Sequence, residues 1–318
     1  MKIALTIPSA GAGKWCWTSW MNAFNTLGHE AFDINQCVDF NLALKGVDLL
    51  ICTTSQPRQE FITWRDKNPD KKVALNVLAW SDLNIGGLSN DGVQASVGNR
   101  EYASKIKPSV IFAQYGIKWR KLLLKNWIDS GYQDSSMMMA ADSTIYQNCI
   151  DYNQYKYDFS FSGGFWFYKS QIIVPWLLPI IQKYRQNSIL IGKGWPIGTD
   201  SDRSEREIGS IFKLSKVCPN VHEPHSHFGY DIVERCMKVP YCGGLLVSDY
   251  VEEMVDEGFK NGENCFLCKS PKEYQEIIDE VIANPGKYEQ IRKNGQEFIT
   301  NQHTYIHRVQ NLLKDIYG

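Results

Sequence analysis

The chain has 318 residues, 43% of them hydrophobic and 22% charged, with a formal net charge of −1. That composition suits a folded chain long enough for two domains of ordinary size. It excludes a disordered protein, and one drawn by its overall field to nucleic acid or an acidic membrane.

Lys2–Ile7 is a β-rich run, too short for a secretory h-region, and no window approaches a membrane span, so the cytoplasm is the expected compartment. Pro8, Gly11 and Gly13 break the run ahead of an aromatic helix from about Trp17 to Leu27. Strand, Gly-rich turn and helix open a doubly wound unit. The GAGK here is not a P-loop: the first Gly of that motif would fall at Pro8, and Trp15 replaces its Ser/Thr. The glycines instead suit a backbone that a substrate approaches closely. Apolar runs recur at Val47–Cys52, Val73–Ala79, Val110–Ala113 and Met137–Ala140, with helices such as Arg58–Lys67 and Lys118–Asp129 between them. This alternation predicts a parallel sheet covered on both faces. Lys118, Arg120, Lys121 and Lys125 make one helix basic, either as a phosphate contact or as a solvated face.

Asn148–Tyr157 is polar, aromatic and aperiodic, and reads as a linker. A second alternation follows: a strand at Phe159–Phe161, a turn at Gly163–Gly164, a helix from near Pro175, and strands at Ile189–Ile191 and Leu214–Cys218. The loop Glu223–Phe228 is expected to open a helix at about Gly229 that contains Glu234 and ends at Pro240 and Gly243–Gly244. A loop feeding a helix start attracts phosphate, and a carboxylate in the next turn accepts ribose hydroxyls. The competing reading of Glu234 is an ion pair with Lys238, four residues on. Ser270–Glu273 has the spacing of a capping box for a helix to about Ala283. Helices around Lys287–Asn301 and Tyr305–Ile316 end the chain. Nine cysteines, odd in number and scattered, give no disulfide framework. Cys265 and Cys268 form a lone CxxC, and reduced buried thiols are expected.

From Ser136 onward the chain resembles the GT-B glycosyltransferases, and most closely the spore-maturation (CgeB-type) glycosyltransferase-like family. The resemblance is carried by AAD at Ala140–Asp142, YDFSFSGG at Tyr157–Gly164 with Lys169 after it, and ILIGKGW at Ile189–Trp195. It continues through Glu234 followed by GGLLVSD, and HTYIHRVQNLL at His303–Leu313. More distantly, the Gly-Gly turn, the helix Glu before a strand ending in Asp, and Ser81-Asp82 resemble phage DNA β-glucosyltransferase. The resemblance implies an α/β GT-B fold of two Rossmann-like domains facing a cleft. The acceptor domain would span about residues 1–150 and the nucleotide-sugar domain about 151–300, with a last helix, 301–318, crossing back to the first domain.

It also implies a UDP- or GDP-sugar donor and an acceptor hydroxyl on a glycan, protein or modified DNA base. Donor contacts fall on Gly163, Gly164, Lys169, His227, Phe228, Gly229, Tyr230 and Glu234. Acceptor-side residues are Gly11, Gly13 and Trp15, and Asp82 is the candidate base. No metal and no cofactor is expected, because a Lys and a helix dipole can carry the diphosphate charge. Two positions depart from the family pattern. Asp231 stands where an Arg is usual, so another cation must face the diphosphate, and Ser226 stands where retaining enzymes have the first Glu of Glu-x7-Glu. A non-catalytic sugar-nucleotide-binding or coat-associated protein, or a UDP-sugar epimerase, are the alternatives.

Overall fold

The apolar runs of the first half become strands of one parallel sheet. The computed structural model describes residues 1–9, 11–77, 91–146, 154–199, 203–228 and 232–318. These divide into two units, Met1–Met138 with Tyr305–Gly318, and Met139–Thr304. The first unit contains β1 (Lys2–Leu5), α1 (Gly11–Thr26), β2 (Glu30–Asp33), α2 (Phe40–Ala43), β3 (Leu49–Thr53), α3 (Gln59–Lys67) and β4 (Lys72–Asn76). It continues with α4 (Asp91–Ile106), β5 (Val110–Ala113), α5 (Ile117–Leu123), α6 (Lys125–Asp129) and β6 (Asp134–Ser136).

The strand order is β2-β1-β3-β4-β5-β6, with every pair parallel. β3 and β5 are buried along their whole length, as strands covered on both faces must be. Three expectations shift here. α1 starts at Gly11, not near Trp17, so Gly11 and Gly13 lie in its first turn. The strand expected at Met137–Ala140 is Asp134–Ser136, which pairs with Ile111–Ala113. Met137, Met138 and Ala140 are apolar because they are buried, a state that a short apolar run does not distinguish from a ladder strand. The basic helix is broken at Leu124 into two short ones.

The second unit contains α7 (Ser143–Tyr146), β7 (Tyr157–Ser162), α8 (Phe167–Trp176), α9 (Leu178–Tyr184), β8 (Ser188–Ile191), α10 (Glu205–Lys213) and β9 (Ser215–Asn220). α11 (Arg235–Tyr241), β10 (Leu246–Asp249), α12 (Glu252–Asp256), β11 (Phe266–Cys268), α13 (Pro271–Ala283) and α14 (Glu289–Gln302) complete it. Its sheet runs β11-β10-β9-β7-β8, again all parallel. Each sheet is wound the same way: the second strand lies outside the first, and the chain then crosses to the other side. The direction of winding therefore reverses between β1 and β3, and between β7 and β9. Ligands of open parallel sheets bind outside the carboxyl ends of the strands at such a point.

Local chemistry explains the departures in this unit. Pro175 lies near the end of α8, which starts at Phe167. Between β8 and β9 the chain forms α10, capped reciprocally by Ser204 and Glu207. At Ser270 the box is half-made. Ser270 Oγ accepts the Glu273 N–H at 3.2 Å, but the Glu273 carboxylate takes the N–H of Lys269 at 2.7 Å. Ala141 and Thr304 form a parallel bridge, so the AAD and HTY motifs meet. α15 (Tyr305–Tyr317) belongs to the first unit. It is held there by Gln133 Nε2 donating to Asp315 O at 2.9 Å and by Ser135 Oγ donating to its carboxylate at 2.5 Å. Eight described cysteines are outside any disulfide, seven of them buried. Among the described residues no helix is long and apolar enough to cross a membrane.

Candidate functional site

Beyond the ends of β7 and β8 the two loops are zipped together through their backbones. Gly163 N–H donates to Ile191 O at 2.8 Å and Phe165 N–H to Lys193 O at 2.9 Å. Trp195 Nε1 donates to Gly163 O at 2.8 Å. A Cβ on Gly192, whose φ is +136°, would stand 2.2 Å from Gly163 O, and one on Gly163 would stand 2.5 Å from Arg235 Nη1. The two glycine motifs therefore serve one purpose, a bare backbone shelf against which a guanidinium lies.

That guanidinium is the centre of the site. Arg235, 6% exposed, donates from Nε to Asn220 Oδ1 at 2.8 Å, from Nη1 to Ser162 O, and from Nη2 to Val221 O at 3.3 Å. Its plane stacks on Phe161, 4.3 Å from the ring centroid. Among the described residues it has no carboxylate at salt-bridge distance, and three of its five N–H donors are used. Asn220 is itself clamped: its Nδ2 donates to Ser248 Oγ at 2.8 Å and its backbone oxygen accepts from Tyr274 Oη at 3.0 Å.

Lys169, on α8 and 3% exposed, supplies a second cation. Its Nζ lies 2.9 Å from Glu223 Oε1 and 4.8 Å from the centroid of the Trp166 ring. Burial, aided by the nearby Arg235 charge, lowers its pKa to about 8 although Glu223 opposes this. Two buried cations that repel one another, one with a single carboxylate partner and one with none within salt-bridge distance among the described residues, give this edge of the sheet a local positive charge. Because the folded pKa lies below the ordinary lysine value, the ammonium is present below about pH 8 and lost above it. The affinity for inorganic pyrophosphate should therefore fall by roughly tenfold from about pH 7 to about pH 9.5 in wild type and stay level in Lys169→Arg. Calorimetric titration measures it, and equal slopes would remove Lys169 from the site.

A buried carboxylate network braces the β10 side. Asp249, fully buried, accepts from His222 N at 3.1 and 3.0 Å and from His222 Nδ1 at 2.7 Å. His227 Nε2 lies 3.0 Å from its other oxygen. Burial alone would raise its pKa, but His222 and His227 outweigh that and hold the carboxyl well below the usual range. The His227 ring is thus held through Nε2.

Glu234 is the residue preceding α11 and not a member of it. Its Oε2 lies 3.8 Å from Lys238, which is also 3.2 Å from Glu205 Oε2. Tyr146 Oη donates to Glu205 at 2.5 Å. This is the Lys238 pairing, made on a buried lysine and not at the surface.

Of the expected donor residues, Gly163 and Gly164 follow β7, Lys169 lies on α8, Glu234 immediately precedes α11, and His227 pairs with Asp249 at the end of β10. Pro224–Phe228 is a 3-10 turn, so the helix start expected there lies further on, at Arg235. Gly229, Tyr230 and Asp231 lie outside the described residues, as do Asp82, Ser81 and the Asp200–Asp202 stretch. The Gly163 N–H is already committed to Ile191, leaving its missing side chain as its contribution. In the first unit Trp15 is 53% exposed on α1. Arg120 pairs with Asp134 at 2.7 Å and Lys125 with Asp129, so part of the basic face is internally neutralised. Among the described residues no group of three or more His, Cys, Asp or Glu side chains is placed to hold a metal. Arg235, Asn220 and His222 were not singled out from sequence, and Glu223 and Asp249 entered it only as the start of a loop and the end of the GGLLVSD motif. The available signal was a polar residue ending each of the buried strands β9 and β10.

A family model described as glycosyl transferase-like matches residues 175–314. The sequence matches no curated protein. Sucrose-phosphate synthase from Thermosynechococcus elongatus superposes with a TM-score of 0.60 at 11% identity, over 100% of this chain and 99% of that one. HepE of Anabaena in complex with UDP and glucose gives 0.59 at 13% identity, over 99% and 98%. An α-glucosyltransferase in complex with UDP and a 13-mer DNA containing an HMU base gives 0.66 at 13% identity, over 99% and 98%. These likenesses show the fold: the chain has the α/β GT-B architecture over its whole length.

Proposed function

We propose that the protein is a glycosyltransferase that moves a hexose from a UDP-sugar to an acceptor hydroxyl without a metal. The carrying observation is the pair of buried cations, Lys169 and Arg235, at the reversal point between β7 and β9 beside the Gly163–Gly164 shelf. Preorganised cations in a water-poor site stabilise charge developing on a leaving diphosphate, the task a metal performs in other transferases. Glu234 is assigned to the ribose hydroxyls. UDP in the HepE and α-glucosyltransferase structures favours uracil as the base. The same α-glucosyltransferase supports a hydroxymethylated DNA base as an acceptor to test beside glycans and proteins. Gly11, Gly13 and Trp15 are assigned to the acceptor, and Asp82 to the base that an inverting course requires. The CgeB-type kinship belongs to this proposal and rests on the motif order.

A thermal-shift panel of UDP, GDP, ADP, CDP and TDP with and without Mg²⁺ tests the reading. UDP at one hundred times its Kd should stabilise the protein by about 2.7 kcal/mol, equally in EDTA. No response to any diphosphate would overturn the donor site. Transfer abolished by EDTA and restored by Mn²⁺ would overturn the metal-free mechanism.

A further inference from the structure

The first sheet repeats a device found in the second. Arg235 starts the helix that follows β9, the third strand of its unit, and Arg58 immediately precedes α3, the helix that follows β3, the third strand of the other. Each arginine follows the strand at which the winding of its sheet reverses. Arg58 lies over the Phe40 ring, 4.4 Å from its centroid, as Arg235 lies over Phe161. Its Nη2 donates to Asn35 Oδ1 at 3.3 Å, as Arg235 donates to Asn220. Asn35 is fixed in turn, its Nδ2 donating to Ile7 O at 2.9 Å. The guanidinium is therefore oriented before anything binds.

Its charge is not answered locally. Among the described residues Arg58 has no carboxylate at salt-bridge distance, and one of its five N–H donors is used. Its Nε is buried without a partner. The neighbouring Asp33 carboxylate is taken up by the N–H groups of Ile7 and Asn35, at 3.2 and 3.0 Å. Glu60 lines a groove with Asn41, Thr63 and Trp64. Two hydroxyls stand at the same edge of the sheet. Thr6 and Thr54, the residues after β1 and β3, are 0% and 4% exposed, and neither hydroxyl has a hydrogen-bond partner. The start of α3 has no side-chain cap.

A fixed cation with neutral donors from separate segments suits a ligand that carries negative charge on several oxygens. A phosphate monoester offers three, spread around phosphorus, where a carboxylate offers two in one plane. One uncompensated arginine matches one phosphate. A nucleic-acid backbone needs a row of cations, and Arg120 and Lys125 of the basic segment are already paired.

We propose that Arg58, oriented by Asn35 and Phe40, binds a phosphate group carried by the acceptor, so that the sugar is transferred to a small phosphorylated polyol. This inference rests on the reading of the first unit as the acceptor unit, and no donor residue takes part in it.

The test titrates inorganic phosphate into UDP-saturated protein, followed by phosphorus NMR, because UDP then occupies Lys169 and Arg235. Wild type should bind one phosphate. Arg58→Gln keeps an N–H donor but no charge, and should weaken that binding about tenfold or more, the worth of lost hydrogen bonds to a charged group. Its affinity for UDP should stay within about twofold. Arg58→Lys keeps the charge without the planar fork and should fall between the two, so the test stays decisive if one variant does not fold. Glycerol phosphate should displace the bound phosphate from wild type, and glycerol should not. No phosphate bound by UDP-filled wild type would overturn the proposal, as would binding that is unchanged in Arg58→Gln. Displacement by a DNA oligonucleotide and not by glycerol phosphate would assign the site to nucleic acid and overturn the small acceptor. Wild type that binds no UDP would overturn the donor-site reading alone. Phosphate would then be titrated on the Arg235→Met background, where dependence on Arg58 still supports the proposal and independence overturns it.

Discussion

Replacing Arg235 by methionine is expected to lower kcat/KM for transfer from a UDP-sugar by about a hundredfold to a thousandfold, the usual loss when one preorganised donor to a developing anion is removed. The guanidinium is locked by Asn220, Ser162 and Val221 and by the Phe161 ring, so almost no reorganisation is needed when a diphosphate arrives. Arg235→Lys keeps the charge but not the planar fork that reaches three oxygens at once. It should retain UDP binding while still losing about tenfold or more in kcat/KM. Initial rates together with UDP affinity separate the two effects. Stability is a separate cost, because methionine leaves the three acceptor oxygens without their donor, about 1–3 kcal/mol for each that stays buried. Melting curves therefore accompany the kinetics. A folded Arg235→Met enzyme within threefold of wild type would show that the diphosphate charge is carried elsewhere.

Asp249→Asn is expected to be the most destabilising conservative change in the second unit, by about 3–5 kcal/mol, as when one partner of a buried charged network is removed. The carboxylate accepts from the His222 backbone, the His222 ring and the His227 ring. An amide would turn one of its acceptors into a donor facing these N–H groups. The sign of the pH dependence follows from the lowered pKa of Asp249. A depressed folded pKa contributes stability that is fully present above the unfolded value, about 3.9, and is lost as pH falls through it toward the folded one. Wild type should lose stability steeply below about pH 4, and Asp249→Asn should show a shallower acid limb from a lower starting point. Urea unfolding at a series of pH values measures both. Identical acid limbs would mean that other carboxylates govern acid unfolding.

Much of the architecture was legible because it is written in short-range pattern. Fully buried strands such as Leu49–Thr53 and Val110–Ala113 are continuous apolar runs, and the helices between them announce parallel connections. Where a signal was local but ambiguous, the reading slipped. Met137–Ala140 has strand composition yet lies beside the ladder, since burial and pairing select the same residue types. Ser204 and Glu207 form the complete capping box of α10, an element for which the sequence offered no expectation between the strands at Ile189–Ile191 and Leu214–Cys218.

Short-range pattern gives the alternation of strands and helices and the glycine turns, each of which depends on neighbours a few positions away. The candidacy of Lys169 came from the family resemblance, and that of Glu234 from its place after the loop together with the same resemblance. The tertiary structure alone decided that the second cation is Arg235, that Asn220 and Phe161 hold it, and that Asp249 joins His222 to His227. The reason is physical distance along the chain. Arg235 donates to a carbonyl 73 residues earlier, and His222 donates to a carboxylate 27 residues later. Parallel strands deliver their carboxyl ends to one edge of the sheet from segments that share no local pattern, and only the assembled sheet shows which polar residues meet there.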